Sequence, residues 1–156
     1  MTALIQRLRK EEKGLTLIEL LAVIVIIGVI AAIAVPLITG LINNTKDNAR
    51  NATANQILEA AKLYSIANNN GEVKGEVTLA TLTNDNYLQG NITDPKDGKA
   101  LASGTKVNLN NYGKDSGTVV TLAFDGGATE TYTTEQLKSG KKGEAGTGNS
   151  DEDKTE

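Results

Sequence analysis

Hydrophobic and polar positions divide the chain into four stretches. Residues 1–14 are mixed and mostly polar, and from Leu20 to Thr45 no residue carries a formal charge. Within that run Leu20–Ile38 is almost wholly aliphatic. About 20 consecutive apolar residues cross the hydrocarbon of a bilayer as a helix, so the run is long enough. Beyond it the pattern turns from solid to periodic. Ile38, Leu41, Ile42, Ala49, Ala52, Ile57, Ala60, Ala61, Tyr64 and Ala67 recur in steps of three and four, which predicts one stripe along a helix. Lys46, Asp47, Arg50, Glu59 and Lys62 fall mostly off that stripe. The "NNNG" at 68–71 supplies a stop, with Gly71 suited to a left-handed cap. The spacing therefore predicts a nearly continuous helix over 15–70, with a transmembrane half at about 15–38. Such a helix is roughly 80 Å long at 1.5 Å per residue. A domain this small cannot bury it throughout, so lipid or further copies of the chain must cover its first half.

The pattern shortens again after residue 70. Glycine, asparagine and threonine become frequent, and "VTLATL" at 77–82 leads through "NYLQG" to "DPKDG", where Pro95 and Gly98 carry turn chemistry. "TKVNL" at 105–109, "TVVTLAF" at 118–124 and "TETYT" at 129–133 are β-branched runs bounded by turn residues. "DGG" at 125–127 should join the last two as a hairpin. The expectation is a small β-rich head over 71–138, an antiparallel sheet with its apolar face on the alanine-rich stripe. The predicted fold class is α+β. Residues 139–156 are Gly, Lys, Glu, Asp, Ser and Thr with little to bury, and read as a disordered tail.

Composition narrows the chemistry. The chain has 156 residues and neither His nor Cys, which excludes zinc sites built on those residues, Ser-His-Asp triads, cysteine nucleophiles and disulfides. One Phe, four Tyr and no Trp argue against a base-stacking platform for single-stranded nucleic acid. Residues 1–14 carry Arg7, Arg9, Lys10 and Lys13 against Glu11 and Glu12; the remainder has 12 basic and 17 acidic residues. A basic start before an apolar run orients a segment with its N-terminus in the cytoplasm. The acidic remainder has no general attraction to nucleic acid, and the sequence shows no nucleic-acid partner. No catalytic constellation, metal site or cofactor site stands out, so the chain reads as a non-enzyme.

Glu19 is the anomaly, a carboxylate just inside the apolar run. A secretory signal peptide, cut after Ala32-Ile33-Ala34, leaves the helical pattern beyond the cut unexplained. A plain membrane anchor for an outside domain explains the length but neither Glu19 nor the Lys13-Gly14 pair. Cleavage between Gly14 and Leu15 explains both. It removes the basic leader, 1–14, and frees an α-amine at Leu15, about one helical turn from Glu19. Between copies staggered along a filament, Glu19 of one can meet the Leu15 amine of the next, so that the carboxylate acts as a register device.

The residues "GLTLIELLAVIVIIGVIAAIAVP", 14–36, resemble the cleavage signal and N-terminal helix of type IV pilins and type II secretion pseudopilins. Gly14, Glu19, Gly28 and Pro36 stand in the family's spacing; Leu15 replaces the usual Phe, and the frequent C-terminal cysteine pair is absent. The resemblance implies a pilin-like fold and cleavage after Gly14 by a membrane prepilin peptidase. It further implies N-methylation of Leu15 and polymerisation by a platform protein and its ATPase, alongside minor pilins. The subunit would first be a single-pass cytoplasmic-membrane protein with its N-terminus in the cytoplasm, then part of an extracytoplasmic filament. Gly28 and Pro36 mark a span that can bend or melt, since proline removes a helical donor and glycine lowers helix propensity. A competence pseudopilin for DNA uptake and a membrane-tethered binding domain are the alternatives. Asp94, Asp97 and Asp115 stand where some relatives bind Ca²⁺, but lack the ligand spacing of a calcium loop, and no metal is expected.

Overall fold

The structure is a computed structural model that describes residues 16–147. Helix α1 covers Leu17–Asn68, followed by strand β1 (Glu76–Thr78), helix α2 (Leu79–Asn84) and strand β2 (Lys106–Asn108). A 3-10 turn (Leu109–Asn111), strands β3 (Val120–Ala123) and β4 (Ala128–Tyr132), helix α3 (Thr134–Ser139) and strand β5 (Glu144–Thr147) complete the chain. This is the α+β, pilin-like layout expected: a long apolar N-terminal helix, then a small antiparallel sheet. Two compact units divide it, one ending at Ile42 and the other beginning at Asn43.

In the second unit the five strands run β1-β2-β3-β4-β5, each antiparallel to its neighbour. Such a meander needs only local connections. The hairpin expected at 125–127 joins β3 to β4, with Ala123 opposite Thr129 and with Gly126 and Gly127 at positive φ. Alternation puts Val107, Val120, Leu122 and Tyr132 inside, against Ala54, Ile57, Leu58 and Ala61 of α1. Ala54, Ala60 and Ala61 are the small members of this shared core.

The buried stripe of α1 keeps Ile57, Ala60 and Ala61 of the one the spacing predicted, with Tyr64 packed against the core, but differs in its other members. Ala52 and Ala67 are exposed, whereas Asn51, Ala54, Leu58 and Ser65 are buried. Periodicity scored the polar members of the buried face as surface. Asn51 Nδ2 donates to Gln136 O (3.0 Å) and Lys141 O (2.9 Å), and Asn55 Nδ2 to Leu137 O (3.1 Å). Two asparagines one turn apart thus tie α1 to the end of α3 and the turn after it, adding side-chain donors to Gln136 O, which also accepts from Lys141 N–H, and to the Leu137 and Lys141 carbonyls. Ser65 Oγ likewise donates to Glu72 O and Lys74 O and accepts from Lys74 N–H. The stop of α1 falls in the expected stretch: the helix ends at Asn68, and both Asn70 (φ 53°) and Gly71 (φ 88°) are left-handed. Gly71 N–H then bonds Ile66 O (3.0 Å), the longer bond of a Schellman turn.

The expected tail is a second correction. Residues 139–147 are folded: α3 runs to Ser139, and β5 pairs with β4. Glycine, read as a sign of disorder, is what permits the pairing. A Cβ at Gly143 would stand 2.8 Å from both Thr131 O and the Tyr132 ring, and one at Gly146 would stand 2.7 Å from Thr129 Oγ1. Residues 148–156 lie outside the described residues.

One charged side chain holds α1 to the rest of the unit. Arg50 Nε donates to Asp94 Oδ1 (2.5 Å), its Nη2 pairs with Asp94 Oδ2, and its Nη1 donates to Glu130 Oε2 (2.8 Å). The guanidinium also lies over the Phe124 ring, 4.2 Å from its centroid. Glu130 shares the inner face of β4 with Tyr132, whose hydroxyl donates to Glu130 Oε1 (2.7 Å). Burial pushes the Asp94 carboxyl up, but the Arg50 guanidinium and the Lys96 N–H more than reverse it and leave it below the usual range. At Asp47 the Lys96 ammonium outweighs burial and again lowers the value.

Depressed carboxyl values stabilise the fold above the unfolded value of about 3.9, and that contribution is lost as pH falls through the folded values. The thermal midpoint of the full chain in detergent should therefore be flat from about pH 5 to 8 and fall below about pH 4. Arg50→Met strands two buried carboxylates and should cost about 3–5 kcal/mol. With the guanidinium gone, only Lys96 still opposes the burial that pushes the Asp94 carboxyl up, so acidification should cost the variant less stability than it costs the unsubstituted protein. Circular dichroism melts across pH, comparing the two proteins, read both outcomes.

Candidate functional site: the apolar N-terminal segment

The first unit, as far as it is described, is the opening of α1. From Leu17 to Ile42 seventeen large aliphatic side chains are exposed, from 48% at Ile42 to 84% at Leu17. Fully burying one such side chain is worth about 1.5–3 kcal/mol, so the segment forgoes tens of kcal/mol while uncovered. Among the described residues α1 is the one helix long and apolar enough to cross a membrane, and its most apolar window is 0% buried.

Glu19 sits in the first turn of this helix and is held by a capping box that the sequence reading missed. Its Oε2 accepts from Thr16 N–H (2.7 Å) and from the Thr16 hydroxyl (2.8 Å). In return Thr16 Oγ1 accepts from Glu19 N–H (3.3 Å). The T-x-x-E spacing of "TLIE", 16–19, is the signal that would have revealed it. In hydrocarbon, unsatisfied N–H groups at a helix start are costly, and a carboxylate acceptor suits the positive end of the helix dipole. The box therefore serves the carboxylate and the helix start together.

Gly14 and Leu15 lie outside the described residues. Gly28 and Pro36 stand in α1 roughly 13 Å and 25 Å along the axis from Glu19, so the three do not form a cluster. The helix runs on through both. A Cβ at Gly28 would meet nothing within 4 Å, so no contact within the chain requires glycine there. Thr39 Oγ1 donates to Val35 O (2.9 Å), occupying a carbonyl next to Pro36.

Elsewhere, two of the three aspartates considered for Ca²⁺ have other partners. Asp94 is taken by Arg50, and Asp97 Oδ1 accepts from Lys99 N–H (3.0 Å). Asp115 lines a shallow cleft with Lys114, Glu135 and Lys138. No group of three or more acidic side chains able to hold a metal occurs among the described residues.

Comparison with known families decides what the segment is. Residues 9–35 match the prokaryotic N-terminal methylation motif. The chain carries the type IV pilin and pseudopilin signature. Neither the curated proteins nor the solved structures include a significant match. The motif spans the expected cut, Glu19 and Gly28, and ends one residue before Pro36. Such a motif supports a pilin or pseudopilin, a structural family, and implies prepilin-peptidase processing and filament assembly with membrane association.

Replacing the cap tests the Thr16–Glu19 box directly. Thr16→Ala should destabilise the first turn by about 1 kcal/mol, the usual worth of an N-cap. Amide hydrogen exchange in nanodiscs should speed up at Glu19 and Leu20, whose N–H groups bond Thr16 O at 3.0 and 3.2 Å, and stay unchanged beyond residue 30.

Proposed function

We propose that the chain is a structural subunit of a type IV pilus or a type II secretion-like pseudopilus. Prepilin peptidase cuts it between Gly14 and Leu15, Leu15 is N-methylated, and the subunit polymerises through its N-terminal helix. One coincidence supports the reading above all: the methylation motif falls on a helical segment whose aliphatic side chains are exposed among the described residues. A cleavage signal alone would not need that length, and a simple anchor would not need the signal.

Glu19 has the central role. A lone carboxylate at the bilayer centre costs about 3 kcal/mol on insertion scales and less near the edge. The capping box lowers that cost while the subunit waits in the membrane. Both side-chain contacts use Oε2, so a neighbouring subunit's Leu15 ammonium can approach through Oε1. Methylation keeps that amine cationic, and the pair sets the axial register of one copy against the next. Gly28 and Pro36 give the intervening helix room to bend when packed. The subunit passes from single-pass membrane protein, with its N-terminus in the cytoplasm, to extracytoplasmic filament. A platform protein, its ATPase and minor pilins are its assembly partners. Its work is mechanical and not catalytic.

Gly14→Val should leave the precursor at full length, and a mature-sized band on a gel would contradict the assigned cut. Glu19→Ala should be processed normally yet yield no sheared filaments. Normal filaments from that variant would refute the inter-subunit pair while leaving the processing assignment intact.

A further inference from the structure

Charged side chains near the start of the second unit are layered, with anions beneath and cations outside. Lys46 Nζ donates to Lys96 O (3.0 Å), a neutral acceptor. The Lys96 ammonium pairs with Asp47, and the Lys142 ammonium lies 3.7 Å from the same carboxylate. Below them Arg50 is engaged by Asp94 and Glu130. Four cations thus face three carboxylates. The carboxylate side chains are 3% (Asp94), 4% (Glu130) and 18% (Asp47) exposed, against 29% for Lys96 and 56% for Lys142. The excess charge is presented outward as ammonium groups.

The place of this cluster along the chain suggests what meets it. Between Glu19 and Lys46 lie 26 residues without a formal charge, all within α1. At 1.5 Å each they measure about 39 Å, close to the 40–45 Å of a bilayer with both headgroup layers. Lys46 is the first charged residue after the uncharged run, so a segment that crosses the bilayer over that run meets its next charge in the headgroup layer. Lys96 and Lys142 are bound to the immediate neighbourhood of Lys46 through Lys96 O and Asp47.

We propose that Lys46, Lys96 and Lys142 form a docking surface for the phosphate headgroups of anionic phospholipid, which holds the second unit at the membrane until the subunit is drawn into a filament. The inference rests on the membrane-held state argued above. Ammonium groups suit it chemically: each has three donors on a flexible stem and reaches phosphate oxygens as a mobile point charge. Attraction between a juxtamembrane lysine and an anionic surface falls off within a Debye length, about 8 Å at physiological salt, so only lysines close to the bilayer respond.

Full-length protein in nanodiscs of phosphatidylcholine, with or without phosphatidylglycerol, tests this through residue-by-residue amine acylation read by mass spectrometry. In the anionic discs, acylation of Lys46, Lys96 and Lys142 should slow by about fivefold and recover at high salt. Lys74 and Lys106, paired with Glu72 and Glu76, should keep their rates in both lipids. Lys142→Gln should weaken the protection of Lys46. Equal rates at the three lysines in both lipids, or equal slowing of every lysine, would overturn the docking surface while leaving the membrane reading intact. A chain that enters neither kind of disc would overturn the membrane reading, and this inference with it.

Discussion

A helical segment that is aliphatic on every side leaves that surface exposed among the described residues. The stretch from Leu17 to Ile42 imposes this condition on everything else in the protein. Water is excluded by the scale of the hydrophobic effect, so the cover must come from lipid or from identical segments. Glu19 makes sense only within that frame. A carboxylate that would be ordinary on a soluble helix becomes a localised demand for a cation, and meanwhile it is quieted by the N–H and hydroxyl of Thr16. On the proposed function, membrane residence and assembly are two ways of meeting one requirement.

The same helix changes its chemistry on entering the second unit. There it buries alanines in the core shared with the sheet, with Arg50, Asn51, Asn55 and Ser65 as polar ties among them. Each tie fastens a different piece of the chain: the 94–99 turn and β4 through Arg50, the end of α3 through the asparagines, and the loop before β1 through Ser65. Without cysteine, the closing of this small unit relies on such ties and on the pairing of β5 with β4. Breaking a buried ion pair leaves a stranded charge, which makes Arg50 the most sensitive of them.

Much of this was readable from the residues in order. The aliphatic run announced its own length, the "DGG" hairpin followed from turn chemistry, and Gly14 with Glu19 stood out through spacing. The stripe of α1 was legible at Ile57, Ala60 and Ala61 but not at Asn51 and Ser65, which are polar by composition yet buried with their hydrogen bonds made. Residues 143–147 were misread because glycine marks disorder in isolation and close packing beside a strand. Glu130 was legible in part: alternation with Tyr132 puts it inside, yet nothing local names Arg50, eighty residues earlier, as its partner.

Sequence alone determined what is local and periodic: a membrane-length helix, its processing motif, a carboxylate at its head and a run of short strands. Those features follow from hydropathy and residue spacing, which act within a few turns of chain. Tertiary structure decided which helix face is buried, which carboxylates share Arg50 and where the last strand ends. These depend on contacts between residues remote in sequence, where a buried polar group is acceptable only once its partner has arrived.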